Sequence, residues 1–321
     1  MSSDEEIGGA FDSLWDDLQA EDSFPHKRPL LAHYTSIATL EGIMANDELW
    51  FSNPLFMNDL DEIRFGINES ARVIRQSQEI KDSCGSKERY EIFQKVFESI
   101  LGEFSNEHAF DIYVLCFSEH DETKDDGLLS MWRGYGGNGN GAAIIFDSKE
   151  LNYNEESPFI VSNVVYASAV DRLEWIQRKC VEFAEILKST DVPNDKLHIP
   201  IWHLFERMKI FSIFTKHIGF AEEREWRVVY MRERDSNRKL DEMLHYAVGR
   251  TGVEPKLKLK IKPVEGITTD DFSLEKIVGK IILGPTVSSP LAINAVRRML
   301  EKLGKPEIAK RLTASTTPFR G

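Results

Sequence analysis

Four polar segments of this chain have residue types and spacings that can handle a sugar or a phosphate. The densest is Phe220-Ala221-Glu222-Glu223-Arg224-Glu225-Trp226-Arg227, which runs directly into Val228-Val229-Tyr230. In an extended strand Glu223, Glu225 and Arg227 project to one side, Arg224 and Trp226 to the other. Carboxylates beside guanidinium groups either satisfy one another as an ion network or hold a carboxylate against a sugar hydroxyl while a glycosidic bond breaks. His33-Tyr34-Thr35 closes a short strand and opens a helix. Free backbone donors at such a junction favour phosphate or sugar oxygens, although a histidine at a strand end is more often structural.

The third segment is Cys116-Phe117-Ser118-Glu119, followed by Met131-Trp132-Arg133-Gly134-Tyr135 and a glycine-rich turn ending at Gly141. Trp132 and Tyr135 are three apart and share a helical face, where they either stack on a flat ring or fill core. Cys116 lies in a strongly apolar strand with no base nearby and reads as buried and inert. The fourth, Asn58-Asp59 with Asp61, Glu62 and Arg64, suits a helix N-cap with acids in the first turn. Capping alone explains Asp59.

Positioning these groups requires strands and helices in alternation. Period-2 patterns mark strands at 32–34, 48–52, 112–118, 142–146, 160–166, 225–231, 256–261 and 277–283. Helical periodicity marks 36–46, 59–79, 87–104, 168–189, 197–216 and 288–304, the last behind Ser289 with Pro290 in its first turn. In the run 256–262 the lysines Lys256, Lys258, Lys260 and Lys262 form the wet face of a strand that buries Leu257, Leu259 and Ile261. The pattern is α+β. It reads as an acidic N-terminal segment, 1–29, followed by one domain over 30–321 with a helical insertion at about 168–216.

Composition narrows the function. The 321 residues are 41% hydrophobic and 29% charged, enough apolar mass for a real core. No apolar run reaches the ~18 residues of a membrane span, and the acidic start is not expected to be a secretory signal. Cys84, Cys116 and Cys180 form no metal-ligand spacing, so no metal is expected and a reducing cytoplasm is the expected compartment. No GxGxxG follows a strand, so a Rossmann dinucleotide site is not expected. The net charge of −13 is uneven: residues 1–62 carry fourteen acids against Lys27 and Arg28, whereas residues 251–321 carry thirteen bases against seven acids. The basic C-terminal part suits a nucleic-acid partner and the acidic start a basic one or simple solubility.

In order, His33–Thr35 with Leu40 and Ile43, Asn58-Asp59 with Glu62, Cys116–Ser118, Met131–Tyr135 with Gly141, and Glu223–Arg227 resemble the pattern of a bacterial family of unknown function, DUF2971, over residues 30–285. The chain departs from that pattern at Leu60, where the family often has proline, and at Phe220, an aromatic further from Glu223 than the pattern has it. The opening segment also resembles, more distantly, NAD-dependent ADP-ribosyltransferases of the DNA-modifying toxin type. This likeness implies an ADP-ribosyltransferase-like fold, a mixed or antiparallel sheet core with a helical insertion, and NAD as substrate. It puts Glu225 in the catalytic glutamate position with Glu223 as competitor. His33 joins the catalytic set and, with Thr35, holds the ribose or amide. Tyr34, Asn58, Ser118 and Arg227 complete the implied NAD-binding set, and Tyr135 or Trp132 stacks near the nicotinamide. It implies a toxin or anti-phage effector that modifies nucleic acid or protein through an oxocarbenium-like step. An NAD glycohydrolase and a non-catalytic nucleotide-sensing or protein-binding module remain the other readings. The enzyme readings expect His33 and Glu225 to converge on one cleft.

Overall fold

A computed structural model describes residues 3–18, 24–57, 60–123, 125–151, 157–249 and 252–318, with the side chains of 60–63 outside the description. Along the chain the elements are α1 (Asp4–Ala10), β1 (Leu30–Thr35), α2 (Ile37–Asn46), β2 (Glu48–Ser52) and α3 (Leu60–Gln76). They continue with α4 (Gln78–Ser83), α5 (Lys87–Asn106), β3 (Ile112–His120), α6 (Leu129–Gly134), β4 (Ala142–Asp147), β5 (Phe159–Asn163) and β6 (Val165–Ala167). Next come α7 (Ala169–Ser189), α8 (His198–Ile213), β7 (Thr215–His217), β8 (Glu225–Met231), β9 (Leu244–Gly249) and β10 (Gly252–Lys260). The last are α9 (Leu274–Ile277), β11 (Val278–Leu283), α10 (Pro290–Lys302), α11 (Pro306–Lys310) and β12 (Leu312–Ala314).

The chain divides into two compact units, each assembled from three segments. The sheet unit comprises Phe24–Asn53, Ile112–Asn163 and Ala221–Gly321. Its ten strands run β12-β11-β4-β1-β3-β2-β10-β9, with β8 on β3 and β5 on β8. The β11–β12 pair is parallel and the other pairs of this sheet are antiparallel. Alternation builds it. Leu257 and Leu259 of β10 are buried while Lys256, Lys258 and Lys260 between them stay half-exposed. One apolar cluster gathers Leu31, Phe51, Leu115, Phe117, Ile144 and Trp226 with Leu40 and Met44 of α2. A smaller one gathers Ala32, Tyr34, Met131, Trp132, Ala143, Ile145 and Ile282. Adjacent residues of β1 therefore serve different cores, as the pleat demands.

The helical unit comprises Met1–Ser23, Pro54–Asp111 and Val164–Phe220, so it takes in more chain than an insertion at 168–216. Ser3 caps α1 in a capping box with Glu6. Ile7, Phe11 and Leu14 are fully buried. The Arg207 guanidinium of α8 donates to the Leu14 carbonyl at 3.2 Å and to Asp17 at 2.7 Å. At Gly66 a Cβ would meet Ser212 Cα at 2.9 Å, so glycine is what allows α3 to lie this close to α8. The single strand expected over 160–166 is two: β5 belongs to the large sheet, and β6 pairs in parallel with β7. The helix expected over 59–79 ends at Gln76, where Ser77 caps α4. Among the described residues no helix is long and apolar enough to cross a membrane.

Candidate functional site

Strand β3 carries the site between β1 and β8. Ala32, Ser118 and Glu225 stand in one row across the three strands, and Phe117 and Trp226 in the next. Residues directly opposite in an antiparallel ladder share a face. Ser118, Cys116, Glu225 and Arg227 thus leave the sheet on one side, with Tyr34, and Phe117 and Trp226 on the other.

On the Ser118 side the chain entering β8 is fastened to β3. The Ser118 hydroxyl donates to the Glu223 carbonyl at 2.7 Å, and the Glu119 N–H donates to the Arg224 carbonyl at 2.8 Å. Between these anchors Arg224 adopts φ +45°, a left-handed conformation that a non-glycine residue occupies only when its surroundings hold it there. Glu225 and Arg227 form a buried two-pronged ion pair, Nε to Oε1 at 2.7 Å and Nη2 to Oε2 at 3.2 Å. Glu223 is half-buried, and the Tyr135 hydroxyl donates to its Oε1 at 3.3 Å. Tyr135 follows the last residue of α6 and is 46% exposed.

Of the two readings for the Trp132/Tyr135 face, each residue takes one. Trp132 is fully buried, its ring edge-to-face with Tyr34 at 4.8 Å and its Nε1 donating to the Asp126 carbonyl at 2.8 Å. It is core and offers no open ring face. Tyr34 is buried as well, its oxygen accepting from the Leu128 N–H at 2.9 Å, and burial pushes its phenol pKa up. These two rings leave room only for glycine at 127, where a Cβ would lie 2.8 Å from the Tyr34 hydroxyl and φ is +75°. Thr35 is buried at the end of β1, opposite Ala142. Cys116 is half-buried rather than buried.

His33 sits where β1 parts from β3, beyond the last paired residue Ala32. Its ring packs edge-on against Phe117 at 5.9 Å, and Nδ1 lies 3.2 Å from the Cys116 carbonyl. A carbonyl only accepts, so Nδ1 carries the proton and Nε2 the lone pair. Burial lowers the imidazole pKa against the opposing pull of that carbonyl, which keeps the ring neutral. His33 therefore stands with Phe117, on the face opposite Ser118 and Glu225. The expected meeting of His33 and Glu225 does not occur: one strand separates their main chains, but the pleat sends the side chains to opposite sides. Asn58, expected in the binding set, lies outside the described residues.

The carboxylate on the His33 side is one that sequence reasoning quoted without assigning it a role. Glu119 accepts from Lys27 Nζ at 2.9 Å and from Trp226 Nε1 at 3.0 Å. Its signal was its spacing, two residues beyond Phe117 in the same strand. Among the described residues no group of three His, Cys, Asp or Glu side chains is placed to hold a metal ion.

Residues 131–228 match the model of a protein family of unknown function, DUF2971. The matched stretch contains the Met131–Tyr135 and Glu223–Arg227 blocks, the two that meet through Tyr135 and Glu223. It does not extend to the His33 and Cys116 blocks. No curated protein and no solved structure matches the chain.

Proposed function

We propose that the chain is an NAD-consuming enzyme of the ADP-ribosyltransferase type, with Glu223, Glu225, Tyr135 and Arg227 as its working groups. The observation that carries this reading is the contact between Tyr135 and Glu223: an open aromatic ring whose hydroxyl orients a solvent-accessible carboxylate. Breaking the nicotinamide–ribose bond builds positive charge at the anomeric carbon, as in glycoside hydrolysis. A fixed carboxylate beside that carbon stabilises the charge, and a flat ring beside it supports the nicotinamide. Of the two glutamates, Glu223 is the half-buried one that reaches solvent, whereas Glu225 is buried and closed on Arg227. The buried pair then serves as a rigid base for Glu223, two residues away on the same entry into β8. The likeness of the opening segment to DNA-modifying transferases supports NAD as the substrate and nucleic acid or protein as the acceptor, with His33, on the opposite face of the sheet, taking no part in the site. With water as acceptor the same site is a glycohydrolase.

The test is to incubate the purified full chain with NAD and measure free nicotinamide. Release that falls by about 100-fold or more in Glu223→Gln, the usual cost of a lost electrostatic stabiliser, supports the assignment. Full release in that variant overturns it. Labelled NAD offered with DNA, RNA and protein then identifies the acceptor. One observation favours a non-catalytic module: Glu225, the glutamate in the implied catalytic position, is neutralised by its own neighbour. Nucleotide binding without nicotinamide release would be its signature.

A further inference from the structure

Within the sheet unit, on the Phe117 side, lies a cavity of about 320 Å³. Leu31, Phe51, Leu115, Phe117, Val161 and Val228 form its wall, drawn from five strands. Ser157, Arg234 and Thr268 are the polar residues among the described ones that line it. Packed interiors seldom contain voids larger than a water molecule. An empty apolar space costs stability in proportion to its volume, and an apolar lining gives water too few partners to fill it. The size falls at the lower end of the roughly 300–1,000 Å³ of small-molecule sites. The sheet could have closed this space with larger side chains, since β-branched Val161 and Val228 face each other across the β5–β8 ladder.

The lining also carries a charge sign. Arg234 is exposed, and among the described residues no acid lines the cavity with it and its guanidinium makes no hydrogen bond or ion pair. The Thr268 hydroxyl accepts from the Val264 N–H and donates to the Lys262 carbonyl, and the Ser157 hydroxyl accepts from the Phe159 N–H and keeps its O–H to donate, so the guanidinium is the charged group of the lining available to a ligand. We infer that this cavity binds a small carboxylate amphiphile, its hydrocarbon body among the strands and its carboxylate on Arg234. A guanidinium presents a fork that matches a carboxylate. The site is separate from Glu223 and Tyr135, which lie toward the other face of the sheet.

Calorimetric titration of the full chain with octanoate, butyrate and octanol tests the inference. Octanoate is expected to bind, and butyrate at least tenfold more weakly because it buries less hydrocarbon. Arg234→Gln is expected to weaken octanoate at least tenfold and leave octanol unchanged. Val161→Phe, which fills the space, is expected to remove binding of both, raise Tm and leave nicotinamide release as it was; Val228→Leu replaces it if that variant does not fold. Failure of octanoate and octanol to bind the wild type overturns the inference. So does octanoate binding that survives a folded cavity-filling variant, or that is indifferent to Arg234→Gln.

Discussion

Arg227 closes on Glu225 two residues back along the same strand, with the guanidinium and the carboxylate both buried. Removing both charges from such a pair costs little, because burial had already taxed each ion. Removing one takes from the other the ion that balanced it, at about 3–5 kcal/mol. Glu225→Gln is therefore expected to lower unfolding free energy in urea by about that amount. Glu225→Leu combined with Arg227→Met is expected to recover most of the loss. If Glu225→Gln is as stable as the wild type, the pair is not closed in solution.

Tyr135 and Glu223 call for the opposite pattern. Both reach solvent, so Tyr135→Phe is expected to change stability by no more than about 0.5 kcal/mol. It removes the hydroxyl that orients the Glu223 carboxylate, and nicotinamide release is expected to fall by about tenfold or more, equivalent to about 1.4 kcal/mol of transition-state stabilisation. A variant that loses stability and activity together would make Tyr135 a packing residue.

How much of this was legible in the sequence depends on the range of the interaction. Strand β8 shows its observed limits in the alternation and β-branched content of Glu225–Met231, and helices α2, α7 and α10 announce themselves by Ser36, Ser168 and Ser289 at their caps. These signals are local. Helix α1 was taken for part of an acidic segment because its acids obscured Ile7, Phe11 and Leu14, which carry a helical i, i+4, i+7 spacing. The break between β5 and β6 has only a weak local sign, Ser162-Asn163, set between β-branched residues that favour strands on both sides. The side on which His33 stands was hidden. It depends on the register of β1 against β3, some eighty residues later, and a strand's alternation says which residues share a face but not which face meets a residue of another strand.

Acid is expected to weaken the fold through buried His120 and half-buried His33 and His203. Burial lowers the pKa of His33, and likewise that of His120 and of His203. The unfolded chain takes up protons near the ordinary value of about 6.5, at a pH where the folded chain does not. Stability conferred by the neutral rings is thus fully present above about pH 6.5 and is lost as pH falls from there toward the lowered folded values. Each ring can contribute up to about 1.4 kcal/mol per pH unit within that window. Urea denaturation at pH 7.0 and 5.5 should show a smaller drop for His33→Gln than for the wild type. An equal drop would place the proton on His33 in the folded state.

The N-terminal segment is expected to be structural rather than a soluble tail. Phe11 packs on Phe183 at 5.4 Å, and Asp17 accepts from Trp175 at 3.1 Å and from Arg207 at 2.7 Å. Arg207 in turn lies over the Trp175 ring at 4.4 Å, and that ring stacks on Phe211 at 3.8 Å. Burial raises the Asp17 pKa, but Arg207 and Lys179 outweigh it and hold the carboxyl below its ordinary value. Deleting residues 1–18 would uncover the partners of Ile7, Phe11 and Leu14, each worth about 1.5–3 kcal/mol of burial. It would also strip Arg207 of its carboxylate. The expected result is a chain that binds hydrophobic dye and unfolds at lower urea than the full chain, whereas Asp17→Asn alone should keep the apolar contacts and lose only part of that stability. A truncated chain with unchanged unfolding would return residues 1–18 to the role of a solubilising tail.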